Sequence, residues 1–146
     1  LGILGAIAAP MSANIEGSEV AMPTIHDVLG DPAPPTYVPN RNMILYSISA
    51  AFAEVVKAEH IFCGLQVNDT FGYHDTTAAW VSKMNAVLAE NRKIKIKISS
   101  PFVELSKTNE IDLAIALGQV SLLKHTLTCY NPDVSGRSCG ICPSCA

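Results

Sequence analysis

The chain has 146 residues, of which 49% are apolar and 16% charged. That is enough apolar material for a packed core and excludes a globally disordered chain. A net charge of −3 argues against a protein that grips nucleic acid or an anionic membrane through charge alone, and no apolar run approaches the roughly 20 residues of a membrane span.

The longest apolar run, Leu1 to Met11, carries two glycines and Pro10 and lacks a charged start, so it does not read as a signal peptide. Residues 9–40 hold Pro10, Pro23, Pro32, Pro34, Pro35 and Pro39 with Gly17 and Gly30, which reads as a long irregular connection of the kind that serves as a functional loop or lid. A first helix is expected from near Asn40 to about Lys57, with Ile44, Ile48, Ala51, Phe52 and Val55 at helical spacing. The apolar run Ile61–Val67 suits a buried parallel strand. Asp75 or Thr76 can cap a second helix that carries Trp80, Met84, Val87 and Leu88 on one face to about Asn91. Ile94, Ile96 and Ile98 alternate with Lys95 and Lys97, the period of a second strand. A third helix is expected from about Lys107 to Leu117, with Ile111, Ala114, Ile115 and Leu117 inward and Gly118 at its end.

Helix, strand, helix, strand, helix is the order of an α/β layer fold with a parallel sheet. Two strands are few for a doubly wound domain. The chain also starts at Leu1 and stops one residue after Cys145. The expectation is therefore a partial doubly wound sheet, residues 1–146 being the C-terminal part of a larger domain and 128–146 its tail. In such folds a ligand lies beyond the carboxyl ends of the strands, here Asn68-Asp69-Thr70 and Ser99-Ser100-Pro101-Phe102.

Several residues there suit ligand chemistry. Arg41, at a helix start with Asn40 and Asn42, offers a guanidinium fork beside free amide donors, a setting for phosphate or carboxylate; a capped helix with a surface arginine is the plainer reading. In the loop 68–75, His74 is a candidate acid or base and Asp75 a simple cap. Lys107 sits at a helix start where the dipole prefers acids, which makes sense if it shares an anion with the helix amides. Arg92, Lys93, Lys95 and Lys97 read as the solvated face of a strand.

Four of the five cysteines, Cys129, Cys139, Cys142 and Cys145, fall within the last eighteen residues. The C-x-x-C-x-x-C run with one upstream cysteine lets thiolates turn inward around one ion, and Gly140 and Pro143 favour the turns required. Zinc is the default for four thiolates. An iron–sulfur cluster, a pair of disulfides and a redox dithiol are the other uses of the same residues. Cys63 reads as a small buried hydrophobe.

Taken in order, Tyr37-Val38-Pro39-Asn40-Arg41-Asn42, Gly72-Tyr73-His74-Asp75, Pro101-Phe102, Leu105-Ser106-Lys107-Thr108, Thr128-Cys129-Tyr130 and the Cys139–Cys145 run resemble the 7-cyano-7-deazaguanine synthase family, zinc-containing members of the PP-loop ATP pyrophosphatase superfamily. The resemblance covers residues from about 30 to 146. It implies a cytoplasmic ligase of queuosine and 7-deazaguanine biosynthesis that forms C–N bonds. Its substrates are 7-carboxy-7-deazaguanine, ammonia and ATP with magnesium. No membrane or nucleic acid is involved, and a homodimer is compatible with it. It implies further that Cys129, Cys139, Cys142 and Cys145 ligate zinc and that Arg41, Asn42 and Lys107 lie near nucleotide or substrate. Two departures stand out. The superfamily's Ser-Gly-Gly-x-Asp-Ser phosphate loop does not occur in the 146 residues, so this segment alone is expected to be inactive. Thr77 stands where the family has an arginine. The alternatives are another PP-loop ligase, or a zinc-stapled module that binds nucleic acid or a partner.

Overall fold

The computed structural model describes residues 2–31, 33–91 and 93–145. Leu1 of the first apolar run, Pro32 of the proline-rich stretch, Arg92 of the basic stretch and Ala146 of the tail lie outside them. The chain forms two compact units, Asn40–Glu110 and a second made of Leu1–Pro39 with Ile111–Ala146.

In the second of these, the segment expected to be structureless is organised. Helix α1 spans Gly2–Ala8, and α2 is a single turn, Ile25–Val28. The α2 turn is closed by Asp27, whose Oδ2 accepts from the Thr24 amide at 2.8 Å and the Thr24 hydroxyl at 2.7 Å. The Ala13 amide donates to the Pro35 carbonyl (2.7 Å) and Asn14 Nδ2 to the Thr36 carbonyl (3.0 Å). These bonds fold the proline-rich stretch back on residues 8–18, with Ala8, Ser12, Val28, Pro34 and Thr36 fully or almost fully buried. The prolines remove donors but leave carbonyls, and that of Pro35 accepts one of these long-range bonds.

In the Asn40–Glu110 unit, helix α3 spans Arg41–Val56, β1 His60–Phe62, α4 Ala78–Ala89, β2 Lys97–Ser99, and α5 begins at Lys107 and runs to Ala116. Two short 3-10 turns, Val67–Phe71 and His74–Thr76, follow β1. The strands pair in parallel, His60 with Lys97 and Phe62 with Ser99. This is the mixed helix and parallel-sheet arrangement expected, with shorter strands.

The period-two pattern holds at β2: Ile96 and Ile98 are buried and Lys97 exposed. At β1 the expectation of full burial fails, because Phe62 is 73% exposed. The apolar run is instead buried further on, at Leu65.

The bounds of α3 and α5 agree with the sequence, but the cap expected at Asp75 or Thr76 does not hold, because those residues lie in a 3-10 turn and α4 starts at Ala78; some helix faces differ too. In α3 the buried residues are Asn42, Tyr46, Ala50 and Ala53, whereas Ile48, Ala51, Phe52 and Val55 are exposed. Helix α3 is apolar nearly all round, so periodicity alone cannot choose a face. The small residues Ala50 and Ala53 let the backbone come close to the sheet, and that stripe wins. In α4, Val81 joins Met84 and Leu88 inside, while Val87 is exposed. Its cap is Thr77, whose hydroxyl accepts from the Trp80 amide at 3.1 Å. In α5 no residue is fully buried, and Ile111, Ile115 and Leu117, expected inward, are exposed. Gly118, at φ +66°, ends the helix as expected, its amide bonding the Ile115 carbonyl. A 3-10 turn at Val120–His125 then leads to the cysteines.

The core joins Tyr46, Ala50 and Ala53 to Leu65, Val81, Met84, Leu88, Ile96 and Ile98. Tyr46 and Trp80 stack at 5.7 Å between centroids, tilted by 42°. Burying a side chain such as Ile98 contributes about 1.5–3 kcal/mol. No helix among the described residues is long and apolar enough to cross a membrane.

Candidate functional site

Parallel strands deliver their following loops to the same end of a sheet. Here the loop after β1 and the loop after β2 are joined there by a bond from the Val67 amide to the Leu105 carbonyl, 2.9 Å. Each loop is then fixed locally. The Gln66 amide donates to Asp69 Oδ2 at 3.2 Å, starting the turn that holds Asp69. Ser106 and Asn109 cap the start of α5 reciprocally. The Ser106 amide and hydroxyl donate to Asn109 Oδ1 at 3.1 and 2.9 Å, and the Asn109 amide returns a bond to Ser106 Oγ at 3.2 Å.

Lys107 therefore opens α5 in the first turn, half-buried rather than splayed into solvent. Asp69 is also half-buried. Burial pushes its carboxyl above the ordinary 3.8, while the Gln66 amide, Lys107 and Arg41 pull it back. The structure thus brings Arg41 and Lys107, far apart in sequence, within electrostatic reach of one carboxylate. Glu110 completes the group: burial raises its carboxyl, Asp69 raises it further and Lys107 opposes. Asp69 and Glu110 were not singled out in the sequence. Only the position of Asp69 at a strand's carboxyl end pointed to it.

Asn42 is placed differently from Arg41 and Lys107. It is 8% exposed, and its Nδ2 donates to the Asp75 carbonyl at 3.2 Å, tying α3 to the 3-10 turn after β1. His74 is exposed on that turn. Thr77 caps α4 through its hydroxyl. Lys95 folds back on the end of α4, its Nζ bonding the Ala89 and Asn91 carbonyls at 2.6 and 3.3 Å, a helix-capping role for one member of the basic stretch.

The other cluster is the cysteine tail. The sulfurs of Cys129, Cys139, Cys142 and Cys145 all lie within 4.8 Å of one another, and all five cysteines of the chain are free thiols. A tetrahedral ion with metal–sulfur bonds near 2.3 Å sets its sulfurs roughly 3.8 Å apart, so these four need little movement to close on one. Disulfides are not the arrangement found.

The backbone explains why the spacing works. Gly140 adopts φ +75° between the paired cysteines, and the Cys142 amide points at Cys139 Sγ (3.4 Å). The Cys139 and Asn131 amides both point at Cys129 Sγ, each at 3.3 Å. The spacer after Cys129 is closed by Asp133. Its Oδ1 accepts from the Ser135 amide (2.8 Å), the Ser135 hydroxyl (2.6 Å) and the Arg137 amide (2.9 Å), which holds the carboxyl below its ordinary range. Thr128 and Ser144 hydroxyls meet at 2.9 Å across the base of the loop.

Amides directed at sulfur favour thiolate. Desolvation pushes the Cys142 thiol up, but the Tyr130 amide, the Cys145 side chain and the Ser144 and Cys145 amides outweigh it and bring it down to about 6. Cys142 Sγ lies 3.4 Å from Cys145 Sγ. Such a donor set can hold a soft or borderline metal ion with no position left open for substrate.

Comparison with known proteins identifies the family of the chain. The family model described as "Queuosine biosynthesis protein QueC" matches residues 6–146. The chain is similar to the 7-cyano-7-deazaguanine synthase of Rickettsia canadensis (strain McKiel), 36% identical over 135 residues that cover 88% of this chain and 59% of the relative. It is likewise similar to the 7-cyano-7-deazaguanine synthases of Desulfatibacillum aliphaticivorans (39% over 118 residues, 77% of this chain and 50% of the relative) and Campylobacter curvus (strain 525.92) (40% over 119 residues, 80% and 52%). The chain thus spans between half and three-fifths of the length of these relatives. With the family pattern matched over nearly all of its residues, the chain belongs to the QueC family of queuosine biosynthesis proteins.

Proposed function

We propose that this chain is part of an ATP-dependent ligase that converts 7-carboxy-7-deazaguanine and ammonia to 7-cyano-7-deazaguanine. The observation that carries the reading is the family match over residues 6–146, with relatives bearing that enzyme's name. The chemistry is consistent with it. A carboxylate is a poor electrophile; transfer of an adenylyl group from ATP, with release of pyrophosphate, gives it a leaving group. Ammonia displaces AMP to form the amide, and a second adenylylation of the amide oxygen lets AMP leave again, forming the nitrile. Magnesium would spread the charge of the ATP phosphates.

In this reading Arg41 and Lys107 supply fixed positive charge at the carboxyl ends of β1 and β2, where phosphate or carboxylate binds. Asn42 acts on the same place by holding the Asp75 turn. Cys129, Cys139, Cys142 and Cys145 hold zinc, and residues 128–146 serve as a zinc-stapled tail that orders structure without touching substrate. The compartment is the cytoplasm, whose reducing poise suits five free cysteines. Thr77 favours a second reading within the same chemistry. A cap stands where the family has a guanidinium, and another carboxylate substrate would need no cation there.

The test is product analysis by mass spectrometry. The polypeptide carrying this chain is supplied with magnesium-ATP, ammonium and 7-carboxy-7-deazaguanine. Appearance of the nitrile supports the first reading. ATP consumption with a different carboxylate, and none with this one, supports the second.

A further inference from the structure

The segments that follow β1 and β2 carry two carboxylates that the proposed chemistry does not use, Asp69 and Glu110. Asp69 is fixed by the Gln66 amide, and the bond from Val67 to Leu105 seats its loop beside the start of α5. Lys107 and Glu110 are three residues apart on α5, hence neighbours on one helix face, and the reciprocal Ser106–Asn109 cap holds that first turn in register. Glu110 Oε1 is buried and makes no hydrogen bond to a described residue. A buried acceptor left unmet is costly, so a small shift that brought one of the three Lys107 ammonium donors to it would be favourable. Arg41 also faces Asp69, so positive charge approaches it from α3 as well as from α5.

We propose that Asp69 and Glu110 are positioning residues for Lys107, flanking its ammonium at the carboxyl ends of the two strands and restraining its otherwise flexible stem. A lysine side chain has many rotamers, and an anionic ligand that must first order it loses affinity. Two carboxylates on separately braced elements remove that cost beforehand. The consequence for an anion at this place rests on the function proposed above; the restraint itself does not.

The restraint is read from the 15N relaxation of the Lys107 ammonium group in the labelled chain, with exposed Lys93 as the internal reference for a solvated side chain. Lys107 is expected to be at least about twofold more ordered than Lys93. Asp69→Asn and Glu110→Gln should each bring it toward Lys93 while the backbone amide spectrum stays native, and Glu110→Asp should retain part of the order. A Lys107 as mobile as Lys93 in the unmodified chain overturns the proposal, even if neither variant folds. So does unchanged order in two folded variants. Magnesium-ATP is then added: a Lys107 that is held but whose signal ignores the nucleotide defeats the nucleotide reading of this end of the sheet and leaves the positioning role standing.

Discussion

Asn85, on α4, pairs with the main chain of Ile98 as a neighbouring strand would. Its Oδ1 accepts from the Ile98 amide at 2.7 Å and its Nδ2 donates to the Ile98 carbonyl at 2.9 Å. Parallel pairing with β1 uses the backbone groups of Lys97 and Ser99, so those of Ile98 face the other way. One side-chain amide meets both and blunts the edge of β2. Asn85→Ala leaves a buried donor and a buried acceptor unmet and should cost about 2 kcal/mol. Urea unfolding of the variant checks this; a loss below about 0.5 kcal/mol would mean water replaces the amide without penalty.

The cysteine cluster makes a prediction about folding rather than catalysis. Metal binding to four thiolates is coupled to ordering of the loop that carries them. Cys142→Ser should lower bound zinc well below the about one ion per chain expected of a single four-thiolate site. It should also open residues 128–145 to proteolysis, while Asn40–Glu110 keeps its protection. Elemental analysis with limited proteolysis reads both effects. Full zinc content in the variant would remove Cys142 from the ligand set.

Asp69 and Glu110 should make the chain less stable as they ionise. Burial is the largest influence on each and raises it above its ordinary value, 3.8 for Asp69 and 4.5 for Glu110. The folded state then holds these protons more tightly than the unfolded state. The stability they contribute is complete below the unfolded values and is lost as pH rises through the raised folded values. Asp69→Asn does not titrate, so wild type should lose stability relative to it as pH rises above the ordinary carboxyl value of 3.8. Because Asp69 is partly solvated and faces Lys107 and Arg41, the loss should stay below about 1 kcal/mol. Denaturation midpoints of both proteins at several pH values test it, and parallel profiles, or an opposite slope, would contradict the assignment.

What the sequence made legible was local. The Ile96–Ile98 alternation, the bounds of α3 and α5, Gly118 and the knuckle around Gly140 depend on residues a few positions apart, and each appears where its spacing put it. The cysteine cluster belongs here too, because its sulfurs are approached by amides of the same loop. The group of Arg41, Asp69, Lys107 and Glu110 was half legible. The two cations stood out at helix starts, but Asp69 comes within their electrostatic reach only through the pairing of β1 with β2, whereas Glu110 lies one helical turn from Lys107 on α5. Thr77 was seen as a departure from the family and not as a cap. Its hydroxyl bond to Trp80 became visible only when the helix start settled beyond Asp75 and Thr76.

The face of α3 is where large residues misled, and it yields the sharpest test of packing. Phe52 is 66% exposed, while neighbouring Ala53 is 4% exposed within the core cluster. If the small-residue stripe sets the approach of α3 to the sheet, Ala53→Leu forces three extra carbons into a filled contact and should cost about 1–3 kcal/mol. Phe52→Ala removes the larger side chain, yet should change the stability of the isolated chain by less than about 0.5 kcal/mol, since it gives up little buried area. Chemical denaturation of the two variants distinguishes the faces. The reverse order, with Phe52→Ala the more damaging, would show that α3 packs on the Ile48–Phe52–Val55 face in solution.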